Sequence, residues 1–349
     1  MLSITLKGPH FERGLQHGRC FSDEIDREIR TFCPDHWLDS PEVLELGNRL
    51  MNSISKDFPE LALEMIGISR GAGISFEKIL LLNLVLATND LESDAIASTF
   101  KFACSAIGFA DSDHGPLVAK NCDERLTAAP FYLFQKVYPD DGYAFMGIAN
   151  VGTLWLEGGM NEKGLSLMQT AGPIAPDQDG YGIPCNIVPR VILSKCASTE
   201  EAITMLEDIF SAGWGMGLVI ADENNRIAVV EKTGDLIAVN RCASNVCFCT
   251  NHFEDHSMGA AIPIPHPGLE ENSRVRLQTL SQLFYRDSWP ITLEGIKKVL
   301  GYHGESGFVC QHGNANLYSN YSCIAISKER KILLGDGFPC EQNYTAYHL

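Results

Sequence analysis

Near residue 100 the sequence changes its period. Residues 9–99 read as helical. Glu12–Phe32 carries apolar residues at helical spacing, and Pro41–Phe58 opens with proline at a first helical position and stops before Pro59. Ser75 stands as an N-cap to Phe76–Leu86. Beyond residue 100 the pattern turns to short strands separated by turn chemistry. Cys104–Ala110 and Leu117–Cys122 flank Asp111-Ser-Asp-His-Gly115, and Phe131–Tyr138 and Tyr143–Asn150 flank Pro139-Asp-Asp-Gly142. Trp155–Glu157 and Gly164–Gln169 surround Gly158-Gly-Met-Asn-Glu-Lys163. Helices are expected again at Cys185–Cys196, Thr199–Phe210, Asn272–Tyr285 and Thr292–Tyr302. Further strands are expected at Gly217–Ala221, Ile227–Glu231, Val246–Thr250, Ser322–Ser327 and Lys331–Leu334. Runs of strands followed by runs of helices predict an α+β fold, with antiparallel sheets covered by helices on their outer faces.

The chain has 349 residues, enough for one large domain or two ordinary ones, and a formal net charge of −17. That charge argues against nucleic acid and anionic membrane as partners and leaves small molecules, peptides and proteins. The longest apolar stretch, Ile79–Ala87, is far below the ~20 residues of a membrane span, and Met1–Gly8 is no secretory leader. Together with twelve scattered cysteines this predicts a cytoplasmic protein with free, mostly buried thiols. Cys247 and Cys249 are separated by one residue and have no matching second pair. His252 and His256 fall at a strand end rather than on a helix. Neither pair predicts a metal, and no cofactor is expected. Gly213-Trp-Gly-Met-Gly217 lacks the Lys-Ser/Thr of a phosphate loop.

Among the twelve cysteines, Cys104 has a distinctive setting. It opens the first strand after the helical segment and follows the small residue Ala103. A hairpin of the two strands brings it beside Asp123, nineteen residues on. A carboxylate beside a thiol alone would raise the thiol pKa. Beside a thiol that also carries a free α-amine it is useful, because it orients that amine.

These residues belong to a longer set. Gly8-Pro-His-Phe-Glu-Arg-Gly-Leu-Gln-His-Gly18 opens it, and Ile66-Gly-Ile-Ser-Arg-Gly-Ala-Gly73 with Ile79–Asn83 follow. Then come Ala103-Cys-Ser105, Asn121-Cys-Asp123, Gly159-Met-Asn-Glu-Lys-Gly-Leu165 and Thr250-Asn-His-Phe253. In this order they resemble the N-terminal-nucleophile (Ntn) hydrolases, in the branch of choloylglycine hydrolases and penicillin acyltransferases. The acyltransferase-like group that includes isopenicillin-N acyltransferase is the nearest in pattern. The resemblance covers nearly the whole chain. It implies a four-layer αββα sandwich and autocatalytic cleavage between Ala103 and Cys104. A helical pro-segment, 1–103, would become the α chain and a catalytic domain, 104–349, the β chain, as a heterodimer that leaves higher oligomers open. A free α-amine has a pKa of roughly 8, so Cys104 would carry its own general base. By the same resemblance Asp123 holds the amine and Asn251 offers its side-chain amide to the oxyanion. An arginine of Asn272-Ser-Arg-Val-Arg276 sits beside the thiol; Arg274 is the preferred choice, with Arg276 left open. Lys120 stands where choloylglycine hydrolases have arginine, which favours the acyltransferase-like branch.

The expected activity is hydrolysis or acyl transfer on a linear amide, an N-acyl amine or N-acyl amino acid, through an acyl-enzyme. An acyl-CoA or amine co-substrate is left open, because hydrolysis and transfer share every catalytic residue. A rival is a non-catalytic, unprocessed binding protein of the same fold, which would remain uncut. A papain-like protease would place its cysteine at a helix start rather than on a strand. Asn161 is expected to shape a turn. Phe131, Tyr132, Trp155 and Trp214 are aromatic positions of a sheet sandwich that could line an acyl pocket.

Overall fold

The computed structural model describes all residues except 34, 85–102, 177–181, 243, 265–267, 306 and 315. Two sheets lie face to face. The first runs β1 (Leu2–Gly8), β4 (Tyr132–Pro139), β5 (Phe145–Asn150), β6 (Gly158–Asn161), β7 (Ser166–Gly172), β9 (Ser211–Ala221), β10 (Ile227–Gly234) and β11 (Leu236–Asn240), with the short β8 (Ile183–Pro184) beside β9. The second runs β12 (Val246–Cys249), β2 (Ala103–Ser112), β3 (Gly115–Glu124), β16 (Leu317–Ile326), β17 (Lys331–Asp336) and β18 (Tyr344–His348). A two-residue pair, β13 (His303–Gly304) with β14 (Gly307–Phe308), and β15 (His312–Asn314), which pairs with β16, complete the strands described.

Strands β2 and β3 pack on β7 and β9. The alternation along β2 explains both of its faces. Gly108 looks toward the first sheet, where an added Cβ would lie 2.5 Å from Ile227 and 2.7 Å from Val219. Ile107 and Phe109 look the other way, into a core with Leu280, Ile296 and Val299. Those residues belong to α8 (Leu269–Ser281) and α9 (Leu293–Leu300), which cover the second sheet. On the far side α6 (Val188–Lys195) packs on β6 and β7, and α7 (Thr199–Asp208) on β10 and β11. The order helix, sheet, sheet, helix is the αββα sandwich expected from the sequence. No helix among the described residues is long and apolar enough to cross a membrane.

The N-terminal segment departs from its sequence reading. Leu2–Gly8 form β1, an edge strand parallel to β4 in the register Leu2↔Leu133 to Gly8↔Pro139. The expected helix Glu12–Phe32 is two, α1 (His10–Cys20) and α2 (Ser22–Phe32), broken at Phe21. Then come α3 (Pro41–Asp57), capped by Ser40 Oγ on the Val43 N–H, α4 (Pro59–Ala72) and α5 (Phe76–Leu84); positions 85 and 86 of the expected last helix lie outside the described residues. Downstream, Trp155–Glu157 is not a strand, and the expected turn at Gly158–Lys163 begins with β6. Gly213–Gly217 lies within β9, and β11 and β18 are additional strands.

Glycine spacing fixes the α1–α4 contact. A Cβ on Gly14 would lie 2.1 Å from the Glu64 carbonyl oxygen, and one on Gly67 2.2 Å from that of Phe11; Gly18 and Gly71 repeat the pattern. The two backbones therefore touch, which only glycine at four-residue intervals permits. At this contact Glu64 of α4 is buried and accepts from Arg13 of α1 at 2.9 Å and from Arg190 of α6. Burial opposes the carboxylate, but Arg190, His10 and Arg13 hold its pKa down at about 2. The cluster ties the N-terminal helices to the first sheet's helical cover. Removing the charge strands two buried guanidinium groups, so Glu64→Gln is expected to cost about 3–5 kcal/mol. The sign with pH follows from a depressed pKa. The Glu64 contribution is full above its unfolded value of 4.5 and is lost as pH falls through about 2. Denaturant titrations between about pH 5 and pH 2 should show a steeper loss in the wild type than in Glu64→Gln. Parallel curves would refute the assignment.

Candidate active site

Strands β2 and β3 form an antiparallel hairpin in which Ala103 faces Asp123 and Cys104 faces Cys122. The last registered pair between β12 and β2 is Cys249↔Ala106, so Cys104 lies just beyond that strand. A side chain takes over there: the Cys104 N–H donates to Asn251 Oδ1 at 2.8 Å. The Cys104 carbonyl accepts from Arg276. Both backbone groups thus point away from β3. Cys104 and Cys122 are therefore a non-hydrogen-bonded pair, with Cα atoms about 4.5 Å apart and side chains close together.

Asn251 follows β12, and α8 fixes it. Its N–H donates to Ser273 Oγ at 2.7 Å, and its Nδ2 donates to the Ala171 carbonyl at 2.9 Å. Its Oδ1 also accepts from Arg276 at 2.8 Å. With two N–H donors converging on it, the atom facing Cys104 is the amide oxygen. The sequence reading had the amide nitrogen turned toward the reacting centre.

The arginine that the structure brings to Cys104 is Arg276; the preferred Arg274 does not reach it. Arg276 is fully buried and also reaches Ser105 Oγ at 3.0 Å and Asn272 Oδ1 at 2.9 Å. The Arg274 side chain is 52% exposed and pairs with Glu270 one turn away. The two residues are two positions apart on α8 and so face nearly opposite ways. Arg274 contributes instead to the wall of a cavity of about 150 Å³ beside Asn251, together with Pro173, Phe253 and Met258.

Asp123, opposite the Ala103 side of the bond, accepts from Ser319 Oγ and from Gln311 Nε2, the latter at 2.7 Å. Gln311 in turn accepts from Asn272 at 2.7 Å, which closes a buried chain from Asp123 to Arg276. Burial pushes the Asp123 carboxyl up to about 6 against the pull of Arg276, Ser319 and Gln311.

The other face of the hairpin holds the thiol. Cys104 is only 2% exposed in the intact chain. Lys120, two residues before Cys122 on β3, shares its face and bonds Glu157 Oε2 at 2.7 Å; Tyr321 binds the same oxygen at 2.6 Å. The Cys122 hydrogen bond to sulfur, aided by Lys120 and opposed by burial, holds the Cys104 thiol below its ordinary range. Burial and the same hydrogen bond push Cys122 well above it. Burial works against the Lys120 ammonium, but Cys104, Glu157 and Cys122 outweigh it and raise its pKa. Lys120, Gln311 and Ser319 were not singled out as site residues. For Lys120 the signal was present, since residues 120 and 122 have the period of two that puts side chains on one face of a strand.

The remaining candidates fall elsewhere. Asn161 binds the carbonyls of Leu193 and Cys196 and accepts from Lys163 and Leu165, as a turn residue does. His252 bonds Ser273 Oγ at 2.7 Å, and His256 lies in a separate short turn. Phe131, Trp155 and Trp214 are buried in the core, while Tyr132 lies 3.4 Å from the Cys122 sulfur.

Comparison with known proteins gives the family. One curated relative, the beta-alanyl-dopamine/carcinine hydrolase of Drosophila melanogaster, is 29% identical over 88 residues, which are 23% of this chain and 22% of that protein. The chain thus spans less than a quarter of that relative's length. A conjugated bile acid hydrolase from Clostridium perfringens superposes with a TM-score of 0.49 at 14% identity, covering 70% of this chain and 92% of the other. The Caenorhabditis elegans N-acylethanolamine-hydrolyzing acid amidase ortholog gives 0.46 at 13%, covering 64% and 93%. Residues 110–290, just over half of the chain, match the family described as acyl-coenzyme A:6-aminopenicillanic acid acyl-transferase, and the chain belongs to that family.

Proposed function

We propose that this protein is a cysteine N-terminal-nucleophile enzyme that cleaves its own Ala103–Cys104 bond and then hydrolyses or transfers the acyl group of a linear amide. One observation carries the reading. Side chains from two distant elements, Asn251 and Arg276, hold the backbone nitrogen and carbonyl of one strand cysteine. An ordinary structural cysteine needs no such grip; a residue whose nitrogen becomes a functional amine does. In the first step the Cys104 sulfur attacks the Ala103 carbonyl. The C–N bond breaks, the nitrogen takes a proton, and water then releases the thioester. Residues 1–103 and 104–349 become separate chains. In turnover the thiolate attacks the substrate amide, and the α-amine carries the proton to the leaving amine. Water or a second amine then takes the acyl group. Lys120 favours the thiolate, Asn251 holds the Cys104 nitrogen and Arg276 its carbonyl, and Asp123, expected from the sequence to hold the amine itself, acts instead on Arg276 through Gln311 and Asn272.

The substrate class is an acyl group on a primary amine or amino acid. The Drosophila relative's name adds β-alanyl amides to the first set to try. Incubation with such a panel, with and without an acceptor amine, followed by mass spectrometry, should find the acyl group on the peptide that begins at Cys104. An acyl group on another residue, or none with any turned-over amide, would overturn the reading.

The two arginines separate under the same assay. Arg276→Lys keeps the charge but loses the fork that joins Cys104, Ser105 and Asn251. Losing one or two charged hydrogen bonds should lower kcat/KM by about 10–100-fold. Arg274→Ala removes an exposed pair and part of a cavity wall that does not include Cys104, and should stay within about twofold. The reverse ranking would restore Arg274 as the site arginine.

A further inference from the structure

Behind Asp123 the chain after α9 folds back through short strands and gathers sulfur and imidazole. His303 lies in β13, Cys310 just before β15, His312 in β15, and Cys340 in the turn Pro339–Glu341. Ligand atoms of His303, His312 and Cys340 all lie within 4.8 Å of one another. The sulfurs of Cys310 and Cys340 each stand 3.4 Å from the same atom, His312 Nε2. The two imidazoles meet edge to face at 5.1 Å, and His312 is held by stacking on Phe338 at 4.3 Å.

One ring nitrogen can satisfy one hydrogen bond, so two thiols on a single Nε2 are not explained by hydrogen bonding. A tetrahedral ion explains them. Bonds of about 2.0–2.1 Å to nitrogen and 2.3 Å to sulfur put neighbouring ligand atoms roughly 3.3–3.8 Å apart, which brackets the observed sulfur–nitrogen spacing. We propose that His303, His312 and Cys340 hold a zinc-class divalent metal ion, and that Cys310, whose sulfur meets His312 Nε2 but lies outside that three-residue group, closes in as the fourth ligand of a Cys2His2 site. Two thiol protons pass to solvent as the ion binds, and the two thiolates balance its charge.

The site has a structural consequence for the active centre. Gln311 lies between two of the ligands, and it holds Asp123. Its backbone N–H also binds Ser319 Oγ at 2.9 Å, the hydroxyl that donates to the other Asp123 oxygen. Metal ligation on either side of Gln311 fixes both partners of Asp123, so Gln311 is a positioning residue anchored by the ion. The metal site does not depend on the acyl-transfer reading.

The test uses full-length protein expressed with zinc and dialysed against metal-free buffer. About one zinc ion per chain is expected by elemental analysis. Replacement by cobalt should give thiolate-to-metal charge-transfer bands and the visible bands of a tetrahedral ion. Cys340→His should keep the stoichiometry and lose about half of the thiolate band; the double variant His303→Ala/Cys340→Ala should bind at least ~10-fold more weakly. Cys20→Ser, at an exposed cysteine elsewhere, should behave as wild type. Should the double variant not fold, wild type and Cys340→His decide. Wild type without stoichiometric zinc or a cobalt–thiolate band would overturn the proposal. So would an unchanged spectrum in Cys340→His, or a Cys310–Cys340 disulfide in the native protein.

Discussion

Cys104→Ala is expected to run as a single full-length band and to show no amide turnover, while the wild type separates under denaturing conditions into two pieces. The pieces hold residues 1–103 and 104–349, about 11 and 27 kDa of the 38.4 kDa chain. The effect is large because one sulfur performs both steps. Without it the Ala103 carbonyl meets no nucleophile, so the α-amine never forms. Even a chain supplied already cut would lack the group that accepts the acyl. Losing a nucleophile that acts as a unit with its base lowers turnover by roughly 10⁴–10⁶-fold. Cys122→Ala is the control for the thiol environment. It removes the hydrogen bond that favours the Cys104 thiolate but leaves Lys120 in place, so cleavage should persist at a reduced rate. In native gel filtration the wild-type pieces should remain together. β1 is hydrogen-bonded along β4, and Glu64 is shared with Arg190. Asn83 in α5 bonds the Gly152 carbonyl and the Leu154 N–H. Full activity in an uncut wild-type chain would refute self-activation, and equal loss from both cysteine variants would shift the nucleophile's identity.

What could be read without coordinates was the local part. The β2–β3 hairpin was legible because Asp111–Gly115 is turn chemistry between two apolar runs, and pairing across a hairpin brings Cys104 close to Asp123. The helical cover of the second sheet was legible from helical spacing alone. β1 was not, because its partner β4 lies more than a hundred residues away and a lone edge strand has no turn to announce it. Gly213–Gly217 reads as loop by composition, yet tertiary packing demands those glycines within β9. A Cβ at Gly215 would lie 2.2 Å from the Pro173 carbonyl oxygen. The choice between Arg274 and Arg276 turned on the facing of α8. Asn272, Arg276, Thr279 and Leu280 recur at helical spacing on its buried side, a pattern that would have picked Arg276. The sequence predicts no metal because neither Cys247 and Cys249 nor His252 and His256 have the spacing or setting of a ligand pair. The four ligands proposed here span residues 303 to 340 and match no short motif, so only the folded chain brings them together.

Asn251 offers the second decisive result. Its Oδ1 accepts from the Cys104 N–H and from Arg276, while its Nδ2 is occupied by the Ala171 carbonyl. If its task is to hold the Cys104 nitrogen, before cleavage as an amide and afterwards as an amine, the acceptor is the atom that matters. Asn251→Asp keeps that acceptor and sets a carboxylate beside the Arg276 guanidinium. Asn251→Ala removes it and leaves the Cys104 N–H and one Arg276 nitrogen unpaired in a buried site, a cost of about 1–3 kcal/mol each. The expected order is therefore wild type, then Asp within about tenfold, then Ala lower by roughly 10²-fold or more, since small misplacements of a reacting group cost that much. The same order should hold for self-cleavage and for turnover, measured separately by gel time course and by product release. An amide that must instead rotate and donate Nδ2 to an oxyanion predicts a different pattern. Asp then lacks the donor as completely as Ala does, and both fall by about 10²–10³-fold in turnover. Equal loss in Asp and Ala would thus return Asn251 to the oxyanion role expected from the sequence, whereas a retained Asp variant makes it the anchor of the nucleophile's own amine.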